Sequence, residues 1–123
     1  AVASEIAGKL YGLEPLKKSI QNNHGNTTRF IILANRKVYR ADAKKVSICF
    51  ELPHTSGSLF NMLGHFIFNH VNMMMIESRP VPGRNWEYRF FVDIEGSLQD
   101  AGVTNALRGI GAEALNFKIL GNY

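Results

Sequence analysis

A single cysteine, Cys49, occurs among the 123 residues, which excludes an internal disulfide. It lies in the apolar run VSICFEL, where a buried, inert thiol is expected rather than a nucleophile, and a reducing, cytoplasmic setting fits it. No stretch of about 18 uninterrupted apolar residues exists, so no segment is expected to span a membrane. The opening AVASEIAGKLYGL lacks the basic flank and long apolar centre of a secretory signal. It also lacks an initiator methionine, and the chain is therefore expected to be a piece of a longer one. Histidines are few: His24, His54, His65 and His70 form no recognised metal spacing. His65 and His70 fall on different faces of an expected helix. Neither a metal nor a cofactor is expected.

What is present is enough for one compact domain and a short extra segment, with 46% hydrophobic residues. The net charge is +4, unevenly spread. Residues 1–45 carry nine Lys/Arg against three acids, a balance of +6, and residues 46–123 carry five against seven, a balance of −2. Phosphate-backbone binding wants a clustered basic face on the folded module itself. The asymmetry marks a boundary rather than a nucleic-acid partner.

Along the chain, Ile6, Ala7, Leu10 and Tyr11 lie on one helical face, with Ser4 to cap the helix and Gly12 to end it. NNHGN reads as a turn, RFIIL (29–33) as a short strand and NRKVYRADAKK as a surface connector. Such a segment cannot close a core alone and is expected to be the end of a different domain. From Val46 the pattern becomes regular. VSICFEL is a half-buried strand with Val46, Ile48, Phe50 and Leu52 on one side. A helix follows with Leu59, Met62, Leu63, Phe66 and Ile67 on its stripe, stopping at Asn69 to Asn72. MMMIESR is a second strand, with Met73 to Met75 filling core on alternating faces. PVPGRN is a loop. Residues 86–96 form a third strand with Trp86, Tyr88, Phe90, Val92 and Ile94 on one face, and Trp86 is expected to be a packing or interface anchor. Ser97 and Asp100 cap a helix through Leu98, Val103, Leu107 and Ile110, closed by Gly109 and Gly111, and ALNFKIL is a fourth strand. The order β-α-β-β-α-β is the ferredoxin-like arrangement, an α+β fold with a four-stranded antiparallel sheet and both helices on one face.

Two places carry chemistry. His54 to Leu59 is a Gly-containing turn feeding a helix, whose unpaired first-turn N–H groups and dipole favour a carboxylate. The alternative is an ordinary cap made by Ser56 or Thr55. Glu77-Ser78-Arg79-Pro80 ends the second strand. Its acid, hydroxyl and guanidinium are suited to a zwitterion, or Glu77 and Arg79 form an exposed pair worth ~0–1 kcal/mol.

At both places the sequence resembles the prephenate dehydratases regulated by phenylalanine. ESRP at 77–80 is identical to the motif of that family's ACT domain, and SGSLFNML at 56–63 is similar to its other regulatory motif, with core Gly-Ala-Leu-Val. Gly57, Ser58, Leu59 and Phe60 take those four positions, with Ser58 for alanine and the bulkier Phe60 for valine. The aromatic strand NWEYRFFVDIEG and the closing KILGNY also resemble the family. So does the leading segment, in which ASEIAGKLYGL and Thr28-Arg29-Phe30 look like the last helix and strand of the catalytic domain.

The resemblance implies residues 1–44 as the catalytic remnant plus linker and 45–123 as the ACT regulatory domain. It implies that Thr28 assists acid-catalysed loss of water and CO2 from prephenate, giving phenylpyruvate, and that Arg29 holds a substrate carboxylate. A structural reading makes both mere strand-edge residues. With most of the cleft absent, no turnover is expected from this chain alone. For the regulatory site it implies L-phenylalanine bound between two ACT domains, in a homodimer or dimer of dimers. Ser56, Gly57, Ser58 and Leu59 would hold its polar end, Glu77 and Ser78 with Arg79 and Pro80 would close the pocket, and Leu59, Phe60 and Met75 would receive the ring.

Two other classes share features with the chain. RNA-recognition modules have the same element order, but Tyr88-Arg89-Phe90-Phe91-Val92 lacks the glycine of their third strand. A small stand-alone enzyme needs an acid, a base and a closed pocket, and beyond Thr28 no such constellation is legible.

Overall fold

The computed structural model describes residues 1–123. The elements run α1 (Glu5–Leu10), β1 (Lys45–Leu52), α2 (Ser58–Phe68), β2 (Met73–Pro80), β3 (Tyr88–Glu95), α3 (Ala101–Glu113) and β4 (Leu115–Asn122). The chain divides into two compact units, Ala1–Leu33 and Ala34–Tyr123.

In the first unit α1 starts where its cap residue stands. The Ser4 hydroxyl accepts from the Ala7 N–H at 3.2 Å, and Gly12 leaves the helix with φ 63°. No residue of α1 is buried. The strand expected at 29–33 does not form, and Phe30 to Leu33 are exposed without regular structure. An extended segment becomes a strand only when a neighbour takes its backbone hydrogen bonds, and these residues have no such neighbour in the chain.

In the second unit the four strands form one antiparallel sheet of order β2-β3-β1-β4, the ferredoxin-like arrangement. The core lies between the sheet and its two helices. Val46, Ile48, Phe50 and Leu52 of β1 and Val92 and Ile94 of β3 meet Met62 and Phe66 of α2 and Val103, Ala106, Leu107 and Ile110 of α3. Period-two alternation in the strands and 3.6-residue spacing in the helices place these side chains together.

Several expectations change in detail. Cys49 and Glu51 are also buried, so β1 is covered on both faces toward its end rather than half-buried. Ile67 faces solvent, and Leu59, Met62, Leu63 and Phe66 make the α2 stripe without it. Met73 packs on the core, while Met74 is exposed where the β2–β3 register shifts between Met73 and Met75. Trp86 is not in β3. It stands in the preceding loop with φ 68° and is 71% exposed.

Gly109 and Gly111 lie inside α3, which continues to Glu113. Gly109 is there for closeness: a Cβ on it would stand 2.3 Å from the His65 ring of α2. Gly102 serves the same helix pair, since a Cβ there would come within 2.7 Å of the Asn69 carbonyl oxygen. Asp100 is the N-cap residue, but its carboxylate accepts from the Ser97 N–H at 2.7 Å rather than from the helix.

Candidate amino-acid site at one end of the sheet

The register brings both suspected motifs to one end of the sheet. Leu52 of β1 and Pro80 of β2 both pair with Tyr88, the first residue of β3. Leu52 leads through Pro53 into the His54–Gly57 turn and α2, and Pro80 closes the ESRP strand. Because β3 separates β1 from β2, the two strand ends of one chain stand about 10 Å apart.

At the helix entrance Gly57 is the N-cap residue with φ 84°, a left-handed conformation that costs glycine nothing. A Cβ would meet nothing within 4 Å, so backbone conformation, not crowding, calls for glycine here. No side chain caps α2. The alternative in which Ser56 or Thr55 closes the first turn is therefore not realised. The Thr55 and Ser58 hydroxyls bond to each other at 2.6 Å, and the Ser58 hydroxyl donates to the Thr55 carbonyl at 2.9 Å. The Ser58 N–H is taken by the Thr55 carbonyl at 3.3 Å, and the Asn61 N–H begins the helical ladder, donating to the Gly57 carbonyl at 2.9 Å. The entrance thus offers the Leu59 and Phe60 amides, a positive dipole end and no competing side-chain acceptor. Leu59 is partly buried against the core and Phe60 is exposed.

On β2, Met75, Glu77 and Arg79 align with Asp93, Phe91 and Arg89 of β3, on the sheet face away from the helices, and Ser78 aligns with the core-side Phe90. Arg79 donates to the Glu77 carboxylate at 2.8 Å, and both side chains are more than half exposed. Thr28, Arg29 and Phe30 lie in the irregular, exposed part of the first unit.

The most heavily bonded polar group of this sheet end belongs to neither motif. Glu51 is completely buried, yet it sits on the face opposite the helical core. Asn116 donates to it at 2.7 Å, Arg84 donates from the β2–β3 loop, and Arg89 donates through Nε at 2.9 Å and Nη2 at 2.5 Å. The hydrogen bonds from Asn116, Arg84 and Arg89, in that order, outweigh burial and lower its carboxyl from the ordinary 4.5 to about 2. Arg84 also pairs with Glu87 at 2.8 Å. The signal was present in the sequence as an acid inside an apolar strand, which must be paired if buried.

Elsewhere the Ser47 hydroxyl donates to Asp93 at 2.5 Å and meets the Tyr123 hydroxyl at 2.8 Å, tying the last residue to β1. His65 and Glu113 join α2 to α3 at 3.0 Å. No group of three or more His, Cys, Asp or Glu is placed to hold a metal, and no helix is long and apolar enough to cross a membrane. Phe90 of β3 faces the core and stacks on Phe50 with centroids 5.7 Å apart.

The fold and this sheet end define a ferredoxin-like module, with a helix entrance free of side-chain caps and a charged strand terminus at the same end of the sheet. The chain resembles, more specifically, the C-terminal part of prephenate dehydratases. Residues 1–38 match the family model described as prephenate dehydratase. The whole chain is 37% identical to 34% of the bifunctional chorismate mutase/prephenate dehydratase of Aquifex aeolicus. It is also 37% identical to 35% of arogenate dehydratase/prephenate dehydratase 2, chloroplastic, of Arabidopsis thaliana. The chain thus spans about a third of the length of these relatives. Among solved structures, prephenate dehydratase from Arthrobacter aurescens in complex with L-Phe matches 73% of this chain and 30% of its own, with TM-score 0.63 and 31% identity.

Proposed function

We propose that residues 45–123 form an ACT regulatory domain that binds L-phenylalanine, and that residues 1–44 are the end of a catalytic domain plus a linker. In the parent enzyme, a cytoplasmic prephenate dehydratase, phenylalanine would inhibit its own synthesis by favouring a less active arrangement through unequal affinity for two states. Thr28 and Arg29 would contribute to the prephenate cleft, and this chain alone would not turn over prephenate.

The observation that carries the reading is the uncapped entrance at Gly57. A ligand carboxylate can take the amides of Leu59 and Phe60, with Ser56, Gly57 and Ser58 shaping the approach. Glu77 is the acid available for the ammonium group, with Ser78, Arg79 and Pro80 closing that side and Leu59, Phe60 and Met75 receiving the ring. The separation of the two strand ends in one chain, about 10 Å, favours a pocket built from the turn of one copy and the strand of another. Phe60, Ile67 and Phe68 give α2 an exposed apolar face suited to such a contact, in a homodimer or dimer of dimers.

Titration calorimetry with L- and D-phenylalanine tests this. Saturable heat with the L-isomer, weakened at least about tenfold by Glu77→Ala, is expected. No heat and no thermal shift at millimolar L-phenylalanine would overturn the reading.

A further inference from the structure

Glu51 is too well bonded to be only a tolerated buried charge. Its four donor atoms come from three places in the chain: the β2–β3 loop (Arg84), β3 (Arg89) and the start of β4 (Asn116). Asn116 adopts φ 50°, a left-handed conformation open to asparagine more than to most residues. Glu51 itself is the penultimate residue of β1, just before Pro53 and the Gly57 turn.

Two consequences reach the ESRP strand. The β2–β3 loop leaves directly from Pro80 and closes on itself, with the Val81 N–H donating to the Glu87 carbonyl at 3.0 Å and the Arg84 N–H to the Val81 carbonyl at 3.1 Å. Arg84 then pins this loop across β3 to the exit of β1. In addition, Arg79 is directly opposite Arg89 in the ladder, a like-charge cross-strand pair that is unfavourable unless offset. Glu51 offsets Arg89 from one side while Glu77 holds Arg79 from the other.

We infer that Glu51 is a positioning residue for the amino-acid site, fixing the β2–β3 loop through Arg84 and neutralising Arg89 beside Arg79. The helix entrance and the ESRP terminus of one subunit thereby keep a single relative geometry. This inference rests on the phenylalanine-binding reading above. In an assembly where each pocket takes its turn from one copy and its strand from the other, the same cluster links the two pockets inside each subunit.

The test uses the full chain with Arg84→Ala, Arg84→Lys and Glu51→Gln. Arg84 is partly exposed and its loss leaves Glu51 with Arg89 and Asn116, so Arg84→Ala keeps the question answerable even where Glu51→Gln fails to fold. The backbone amides of residues 81 and 84, bonded to the Glu87 and Val81 carbonyls, report on the loop without ligand. Arg84→Ala is expected to speed hydrogen exchange at these two amides about tenfold. It is also expected to weaken L-phenylalanine binding about tenfold, with Arg84→Lys recovering part of the affinity. Unchanged exchange, or faster exchange with affinity within about twofold of wild type, would overturn the inference while leaving the binding reading intact. A wild-type chain that binds no phenylalanine would remove both, and that arm is read separately.

Discussion

Residues 1–33 and residues 45–123 are both rich in apolar side chains, yet only the second region buries them. In the first, Ile6, Leu10, Tyr11 and Phe30 to Leu33 all face solvent, whereas Val46, Ile48, Phe50, Val92, Ile94 and Ile110 are fully enclosed. The difference separates what a sequence can specify locally from what needs a partner. A cap and a glycine stop suffice to delimit α1. A strand such as 29–33 needs neighbours on its edges and a layer on its face.

Matched substitutions in the two regions put this difference at risk. The largest contrast is between two phenylalanines. Phe50→Ala should cost about 3–5 kcal/mol in urea unfolding, and Phe30→Ala no more than about 0.5 kcal/mol. Equal costs would mean that the leading segment has a core of its own.

Two glutamates come next. Glu51→Gln should cost on the order of 3 kcal/mol, because it breaks a buried, multiply bonded charge, while Glu5→Gln, in an exposed pair with Lys18 at 3.5 Å, should cost less than about 0.5 kcal/mol. The Glu51 contribution also has a pH signature. Its carboxyl titrates near 2 when folded, against an ordinary 4.5, so the stabilisation is complete above about 4.5 and fades as pH falls toward 2. Unfolding midpoints of wild type and Glu51→Gln should therefore converge in acid, and parallel curves from pH 7 to pH 2.5 would contradict the assignment.

The smallest contrast concerns glycines. Gly102→Ala should cost about 1–2 kcal/mol, since the neighbour it meets is the Asn69 backbone, which cannot rotate away. Gly12→Ala meets nothing within 4 Å, and its left-handed φ should perturb only the end of α1, by about 1 kcal/mol or less in local helicity and not in the main unfolding transition. Circular dichroism melts of the two variants separate these effects.

Most of the fold was legible because alternation and helical spacing report burial directly. Val46, Ile48, Phe50 and Leu52 could be read as one face from their spacing alone. The misreadings came from features that depend on neighbours. Gly109 looks like a helix stop until His65 of α2 is placed against it, and Trp86 looks like a strand residue until the loop turns it outward with positive φ. Of the candidate site, the Gly57 turn and the ESRP terminus were legible as motifs. Their shared sheet end follows only from the Leu52–Tyr88–Pro80 register. Glu51 was hidden because its partners, Arg84, Arg89 and Asn116, lie 33 to 65 residues away.

The central claim, a free amino acid seated at the Gly57 entrance, is met most directly by amide NMR of the isotope-labelled chain during titration with L-phenylalanine. Saturable perturbations should centre on Ser56 to Phe60 and Glu77 to Arg79, leaving the amides of residues 1–33 in place. Perturbations confined to any other part of the sheet or helices, or none at millimolar ligand, would contradict it.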